Sequence, residues 1–209
     1  IPSAFQYSLF AFANLFVQSS VNSFDHVLVE GNSAAANADP LVYDMMAAFY
    51  TACSSFIAQN FGARKKKRIL QTYLICLFYS FITSLVLGVG IYLARYPFLY
   101  LFTSDKAVVE AGITRLSIMA LSYSASAFMD ASIAASRGLG KTAVPTFIVV
   151  MGSCVFRIIW IYTIFAYFHT IQSLYILYVF SWGITAIAEN IYFFHVYRHT
   201  LTGKTESHL

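Results

Sequence analysis

Apolar stretches of about 20 residues or more recur along this chain and constrain its fold more than any other feature. A helix of that length, rising 1.5 Å per residue, crosses a hydrocarbon core of ~30 Å. The chain is 59% hydrophobic and only 11% charged, whereas a soluble domain carries roughly 25% charged residues. The sequence therefore predicts an all-α membrane protein. Its six predicted transmembrane helices are residues 2–24, 41–61, 69–94, 116–136, 142–168 and 171–197.

Turn-forming and charged residues fill the gaps between these stretches, as is typical of loops. The first gap holds Asp25, Gly31, Asn32, Asp39 and Pro40, and the third holds Pro97, Asp105, Lys106 and Glu110. Six spans place the second gap, the fourth gap and the C-terminal tail, residues 198–209, on one side of the membrane. That side holds most of the basic residues, namely Arg64, Lys65, Lys66, Lys67, Arg68, Arg137, Lys141, Arg198 and Lys204.

The positive-inside rule makes this basic side cytoplasmic, so we predict a cytoplasmic C-terminus. Membrane topology then accounts for the net charge of +4, and we do not predict nucleic-acid binding. Ser80, Ser84 and Gly88 place a small residue at every fourth position of the third span, a pattern that predicts close packing against a neighbouring helix.

Polar side chains form a stripe along the first predicted span. Asn14, Gln18 and Asn22 recur every fourth residue and so share one helical face. In hydrocarbon such a face must meet protein or water. Two interpretations remain open: the stripe forms hydrogen bonds between helices, or it lines a polar cavity.

Two carboxyl groups fall inside predicted spans. Asp130 follows Ser122 and Ser126 on a second four-residue stripe, and Glu189 precedes the end of the last span by eight residues. Intramembrane acids usually mark ion or proton pathways, so we predict ion coupling at Asp130, with Glu189 assisting or replacing it. Ser126, on the same stripe, is a candidate for the cavity wall.

Arg157 lies in the middle of the fifth span, where a guanidinium group is almost always paired. We predict Asp130, Glu189 or backbone carbonyl groups as its partners and include Arg157 in the cavity. Tyr43 is a candidate for contact with a cationic ligand through cation–π attraction.

Nothing in the sequence indicates an enzyme, a cofactor or a metal centre. Cys53, Cys76 and Cys154 lie in apolar stretches without metal-ligand spacing, and we predict that they are small core residues. The string Gly140-Lys141-Thr142 imitates the end of a phosphate-binding loop, but Ala135 stands where its first glycine is required. No arrangement of a nucleophile with a base is recognisable.

Three groups of residues resemble the second half of a multidrug and toxic compound extrusion (MATE) transporter. Residues 1–6 and 18–24 are similar to the family's seventh helix, and residues 58–64, AQNFGAR, are similar to the turn after its eighth. Met129-Asp130, residues 136–141 (SRGLGK) and Pro145 resemble the turn between the tenth and eleventh helices, and residues 157–160 (RIIW) resemble the eleventh.

This resemblance implies that the chain is the C-terminal six-helix lobe of a twelve-helix transporter with a central cavity that opens alternately to each side. It implies efflux of organic cations or other amphipathic compounds by antiport with sodium ion or proton, the only coupling ion or cofactor expected. The expected partners are the missing N-terminal lobe, the lipid bilayer and a small amphipathic or cationic substrate. We expect a multi-pass protein of the cell membrane, specifically the bacterial inner membrane.

Two other interpretations compete with drug efflux. A lipid-linked precursor flippase shares this general fold, but its cavity tends to be rich in arginine and lysine, whereas here only Arg157 is predicted to lie deep. The second is a truncated lobe that only packs against a partner, which the start of the chain at Ile1-Pro2 suggests.

Overall fold

The chain folds into a bundle of long helices. A computed structural model describes the backbone of residues 2–200 and the side chains of residues 8–199, and no strand occurs in that part of the chain. The helices are α1 (Pro2–Val21), α2 (His26–Ala36), α3 (Ala38–Gly62), α4 (Lys66–Leu93), α5 (Arg95–Tyr100), α6 (Lys106–Gly138), α7 (Ala143–Phe168) and α8 (Ile171–Thr200).

Five of the six predicted spans correspond to helical segments long and apolar enough to cross a membrane. They are His26–Gly62, which joins α2 to α3, and the helices α4, α6, α7 and α8. The apolar part of α1 within the described side chains, Ser8–Val21, is shorter. Large apolar side chains such as Leu74, Ile75 and Phe78 on α4 are at least half exposed, as expected for a surface that faces lipid rather than water.

The first predicted gap is helical, which corrects the expectation of a loop between residues 25 and 40. Asp25 caps α2 by accepting a hydrogen bond from the Leu28 backbone N–H, a standard role of aspartate. Pro40 lies in the first turn of α3, where its missing N–H removes no helical hydrogen bond. The turn-forming residues of the sequence therefore mark helix starts, and the chain deviates only at Asn37.

The helix that contains the fourth predicted span, residues 116–136, is longer than that span. Helix α6 begins at Lys106 because Asp105 accepts a hydrogen bond from the Ala107 N–H, and it continues to Gly138. Lys106, Glu110 and Arg137, which were assigned to loops, are therefore helical. Helix α8 continues to Thr200, so the predicted tail at 198–209 begins inside it; residues 201–209, with Lys204, lie outside the described part.

Helix α6 is the centre of the bundle and packs against α2, α3, α4, α5 and α8. Small residues along it permit this close approach, including Gly112, Ala127, Ala131, Ala135 and Gly138, all of which are buried. The prediction of close packing for Ser80, Ser84 and Gly88 is confirmed: all three are buried, and Gly88 lies against Ala120 of α6. Cys53 and Cys154 are buried in the core, as predicted.

Helix α7 contains two π-helical segments, Val150–Val155 and Ile161–Phe165, on either side of the short α-helical segment Phe156–Trp160. Such wide turns leave backbone carbonyl groups available to other partners and occur frequently at functional sites. Ser181 of α8 donates a hydrogen bond to the Gly152 carbonyl, and Gly152 has no side chain to obstruct Thr185. The first π-helical segment therefore packs directly against α8. It ends at Val155, two residues before Arg157.

Candidate functional site

A cavity of about 710 Å³ opens between α1, α2, α3, α6, α7 and α8. Neither α4 nor α5 contributes a lining residue among those described. Its wall is partly aromatic: Tyr43 contacts Trp182 edge to face at 6.3 Å between ring centroids, and Tyr178 lies 5.6 Å from Trp182. A cavity of this volume is in the range that holds a drug-sized molecule.

Five of the predicted site residues line this cavity, and three do not. Those on its wall are Asn14, Gln18, Tyr43, Asp130 and Arg157. The other three are Asn22, Ser126 and Glu189. Asn22 accepts a hydrogen bond from Gln18 at 2.9 Å just beyond the end of α1, and Ser126 is buried, donating to the Tyr123 carbonyl at 2.9 Å. The polar stripe of α1 thus combines the two interpretations, because Asn14 and Gln18 line the cavity and Asn14 also accepts a hydrogen bond from Arg157 of α7. The bond of Asn22 is local and supports neither.

Arg157 has neutral partners, which corrects the prediction that acids or backbone carbonyl groups pair with it. Its side chain is 2% exposed. Nη1 donates to the Asn14 amide oxygen at 2.9 Å, and Nε donates to the Ser181 hydroxyl at 3.3 Å. The guanidinium also lies 4.5 Å from the centroid of the Tyr178 ring, a cation–π distance. No salt bridge to Arg157 occurs among the residues whose side chains are described.

Asp130 projects from α6 into the cavity with Arg137, two helical turns further along the same face. Arg137 interacts electrostatically with Asp130 and also with Glu189. Within the described side chains no hydrogen bond reaches the Asp130 carboxyl group. The acid is therefore held near a positive charge while its oxygens stay available to a ligand.

Glu189 lies behind the cavity wall rather than on it. The residue is fully buried in α8, and neither carboxyl oxygen has a hydrogen-bond partner among the described residues. An ion in the cavity does not touch Glu189 in this conformation. The structure thus places Asp130 on the cavity wall and Glu189 outside it.

An ionic cluster at one end of the cavity was missed by sequence reasoning. Arg115 donates from Nη2 to Asp39 at 2.6 Å and from Nη1 to both oxygens of Asn32, at 3.1 and 3.2 Å. Tyr123 donates its hydroxyl to the other oxygen of Asp39. Asp39 and Asn32 are predicted from the sequence to lie in a loop, and Arg115 is not predicted as a site residue. The signal that could have found them is the i, i+7 spacing of Asn32 and Asp39, which becomes meaningful only once residues 26–62 are recognised as helical.

Arg137 at the opposite end was also missed, because it had been assigned to the fourth loop. It donates to the Tyr50 hydroxyl at 2.7 Å and to the Thr146 hydroxyl at 3.5 Å, and so links α6 to α3 and α7. Arg115 and Arg137 are roughly 33 Å apart along α6 by helical rise, with Arg157 between them on α7. Three arginines line the cavity, one near each end and Arg157 between them, so the cavity holds more arginine than the sequence indicates.

The described residues contain no group of three or more histidine, cysteine, aspartate or glutamate side chains that could hold a metal ion. What the arrangement offers instead is hydrogen-bonding groups, aromatic faces and charges of both signs around one cavity. These groups are suited to binding an amphipathic molecule or an ion rather than to covalent chemistry.

Comparison with known proteins identifies relatives of this fold. The family model described as MatE matches residues 2–163. No match was found among curated proteins. The Vibrio cholerae MATE transporter VcmN in its bent form is 19% identical with a TM-score of 0.84, and the match covers 94% of this chain and 45% of VcmN.

Two further solved structures share the fold. A MOP superfamily transporter from Pyrococcus furiosus, described as having a binding pocket of reverse polarity that suggests a different function, is 17% identical with a TM-score of 0.68, over 97% of this chain and 44% of that one. An outward-facing multidrug resistance MATE family transporter is 21% identical with a TM-score of 0.69, over 99% and 46%. This chain spans less than half the length of each.

Proposed function

We propose, since this chain belongs to the MatE family of transporters, that it is the C-terminal lobe of an antiporter, which expels organic cations or other amphipathic compounds in exchange for sodium ions or protons. The chain is a helical lobe of a twelve-helix, multi-pass membrane transporter. The substrate, the coupling ion, the C-terminal position of the lobe and its place in a cell membrane, with a cytoplasmic C-terminus, belong to the proposal.

The observation that carries the proposal is Asp130, a carboxyl group on the wall of a cavity that is partly aromatic and lies between membrane-spanning helices. A carboxyl group within a membrane-spanning helix costs free energy and usually marks a site that binds an ion or a ligand. Aromatic faces such as Tyr43 and Trp182 bind organic cations by cation–π attraction. One cavity thus offers a group for the coupling ion next to a surface for the drug.

Antiport requires that the ion and the drug prefer different conformations of the transporter. If both depend on Asp130, ion binding neutralises the charge that attracts a cationic drug, so the two ligands exclude each other. Glu189 assists in this proposal from behind the wall, through the electrostatic influence of Arg137 on both acids. Asn14 and Gln18 supply hydrogen-bonding groups to the substrate.

A lipid-linked precursor flippase is favoured by one observation, the three arginines of the cavity. Arg115 is already paired with Asp39, however, and Arg137 lies near Asp130 and Glu189. That leaves Arg157 alone to hold a phosphate group, whereas a polyanionic headgroup needs several unneutralised cations. Drug efflux therefore fits the charges better.

The test uses the full-length parent, reconstituted in vesicles and loaded with a fluorescent cationic dye. Under an imposed sodium or proton gradient we expect dye export by the unmodified protein. Asp130→Asn should lower gradient-driven export at least about tenfold, because losing one charged interaction of 1.5–3 kcal/mol has an effect of that size.

Asp105→Asn is the matched control, since Asp105 is an exposed helix cap outside the cavity and asparagine caps equally well. Normal export by Asp130→Asn under both gradients refutes the coupling role. If the unmodified parent moves no dye under either gradient, the efflux proposal itself is wrong, and a lobe that only packs against a partner becomes the better account.

A further inference from the structure

The charged side chains that line the cavity, counted without Glu189 behind its wall, sum to one net positive charge. Three arginines and two aspartates line it, namely Arg115, Arg137, Arg157, Asp39 and Asp130. Arg115 forms a salt bridge with Asp39 at 2.6 Å. Arg137 interacts electrostatically with both Asp130 and Glu189. The remaining positive charge therefore belongs to Arg157, which lies between these two groups.

Arg157 forms hydrogen bonds but has no acidic partner among the residues whose side chains are described. Asn14 and Ser181 accept hydrogen bonds from two of its nitrogens, and Tyr178 covers one face of the guanidinium. These partners are dipoles and a ring, each weaker than a carboxylate. Nη2, the remaining nitrogen, donates no hydrogen bond to any described residue. Burying a guanidinium without a counter-ion costs free energy, because the charge loses its hydration. In the same medium of low dielectric constant its attraction to an anion is strong.

The surroundings fix the direction of the unused donor. Ser181, which accepts from Arg157 Nε, donates in turn to the Gly152 carbonyl at 3.3 Å within the first π-helical segment of α7. Gly152 permits that contact because an added Cβ would lie 2.4 Å from the Thr185 hydroxyl oxygen. The guanidinium is thus clamped between α1, α7 and α8 at the cavity wall. An oriented donor fork of this kind matches carboxylate or phosphate oxygens.

We infer that Arg157, together with Asn14, is a receptor for an anionic group, a carboxylate or a phosphate, of the transported molecule. The preferred substrates are then zwitterionic amphiphiles, whose anionic group binds Arg157 while the cationic and aromatic parts meet Asp130 and the aromatic wall. This inference rests on the proposed function in one respect, that the cavity holds the transported molecule. A carboxylate supplied by the second lobe has the same chemistry, and the experiment distinguishes the two sources.

The experiment measures binding of a matched pair of dyes to the purified full-length parent by fluorescence anisotropy. Rhodamine B carries a carboxylate and a delocalised cation, and its ethyl ester keeps the cation but lacks the negative charge. We expect the unmodified protein to bind rhodamine B about tenfold more tightly than the ester, a preference equivalent to about 1.4 kcal/mol. Equal affinities for the two dyes overturn the inference without any variant.

Arg157→Gln should abolish the preference by weakening rhodamine B binding while leaving the ester unchanged. Arg157→Lys should retain part of it, because the charge remains but the bidentate geometry is lost. The matched control is the double variant Arg115→Gln with Asp39→Asn, which removes a paired arginine and aspartate of the same cavity without changing its net charge; it should change both affinities by the same factor. If Arg157→Gln weakens both dyes equally, the anion belongs to the second lobe and the substrate assignment is wrong.

Transport is measured in a separate experiment, so that a result against the anion receptor can be distinguished from a result against the efflux proposal. A protein that prefers rhodamine B in the binding measurement but exports neither dye under a gradient supports the anion receptor and contradicts the efflux proposal. Export of both dyes with no binding preference supports efflux and overturns the receptor.

Discussion

Glu189 is a buried acid whose desolvation is not offset by hydrogen bonds from the described residues. It is fully buried in α8, and both of its carboxyl oxygens lack a hydrogen-bond partner among the described residues. Leaving such a group unsatisfied disfavours the folded state by about 1–3 kcal/mol. A residue retained at that expense is better explained by function than by packing.

Replacing this acid should therefore separate stability from activity. We expect Glu189→Met, which introduces an apolar side chain of similar length, to raise the free energy of unfolding by about 1–3 kcal/mol and to lower gradient-driven export. Thermal unfolding, followed by the fluorescence of Trp160 and Trp182, measures the first effect, and dye export from vesicles the second. A lower Tm with unchanged export contradicts this account and assigns Glu189 a structural role.

For single residues, the sequence predicted which acids lie within membrane-spanning segments but not which side chains surround them. Asp130 was found because an aspartate stands out in an apolar span. The pairing of Arg115 with Asp39 depends on how α6 meets α3, a tertiary contact between residues 76 positions apart that no local pattern encodes. The partners of Arg157 were predicted wrongly for the same reason, since Asn14 is 143 positions away.

Helix α4 shows how small residues position whole elements. A Cβ at Gly88 would lie 2.0 Å from the carbonyl oxygen of Ala120, so α4 and α6 touch backbone to backbone at this point. Because α6 carries Asp130 and Arg137, its packing against α4 determines where these two side chains stand. Gly90, on the same helix, has no atom within 4 Å of an added Cβ.

The two glycines make a matched pair for testing this contact. We expect Gly88→Ala to destabilise the protein by about 1–3 kcal/mol, since the helices must separate to admit the methyl group. Gly90→Ala should instead be neutral or stabilise by up to about 1 kcal/mol, because alanine favours the helix. Both are read from the midpoint of thermal unfolding in the same detergent. Equal midpoints for the two variants would show that α4 does not set the position of α6.

The helices themselves were largely predictable, and their starts were not. Long apolar stretches predicted α4, α7 and α8 well because membrane thickness sets their length. Helices α3 and α6 start earlier than predicted because Pro40 occupies a first turn and Asp105 is a cap, and both residue types also occur in loops. The π-helical segments of α7 were not predicted from the sequence, and the first of them brings Gly152 against Thr185 of α8, a contact between residues far apart in the chain.

The molecule as a whole presents a cavity assembled from two ends of the chain. Its wall combines α1 with α7 and α8, residues that are far apart in sequence, and the charges along it come from α3, α6 and α7. The sequence predicted a lobe from its resemblance to a family, and the fold confirms it, whereas the cavity and its three arginines required the packed structure. The chain covers about half the length of its solved relatives, 45% of VcmN for example.

A two-lobe transporter makes a definite prediction about the chain by itself. Alternating access needs a second lobe to close the cavity on its other side. We therefore expect this chain, expressed alone and reconstituted, to produce no gradient-driven dye export, and export to return when the other lobe is co-expressed as a separate polypeptide. Asp130→Asn in the co-expressed pair provides the control, since restored export should again be lost. Export by this chain alone would instead require two copies to face each other around one cavity, and cross-linking would then find a homodimer.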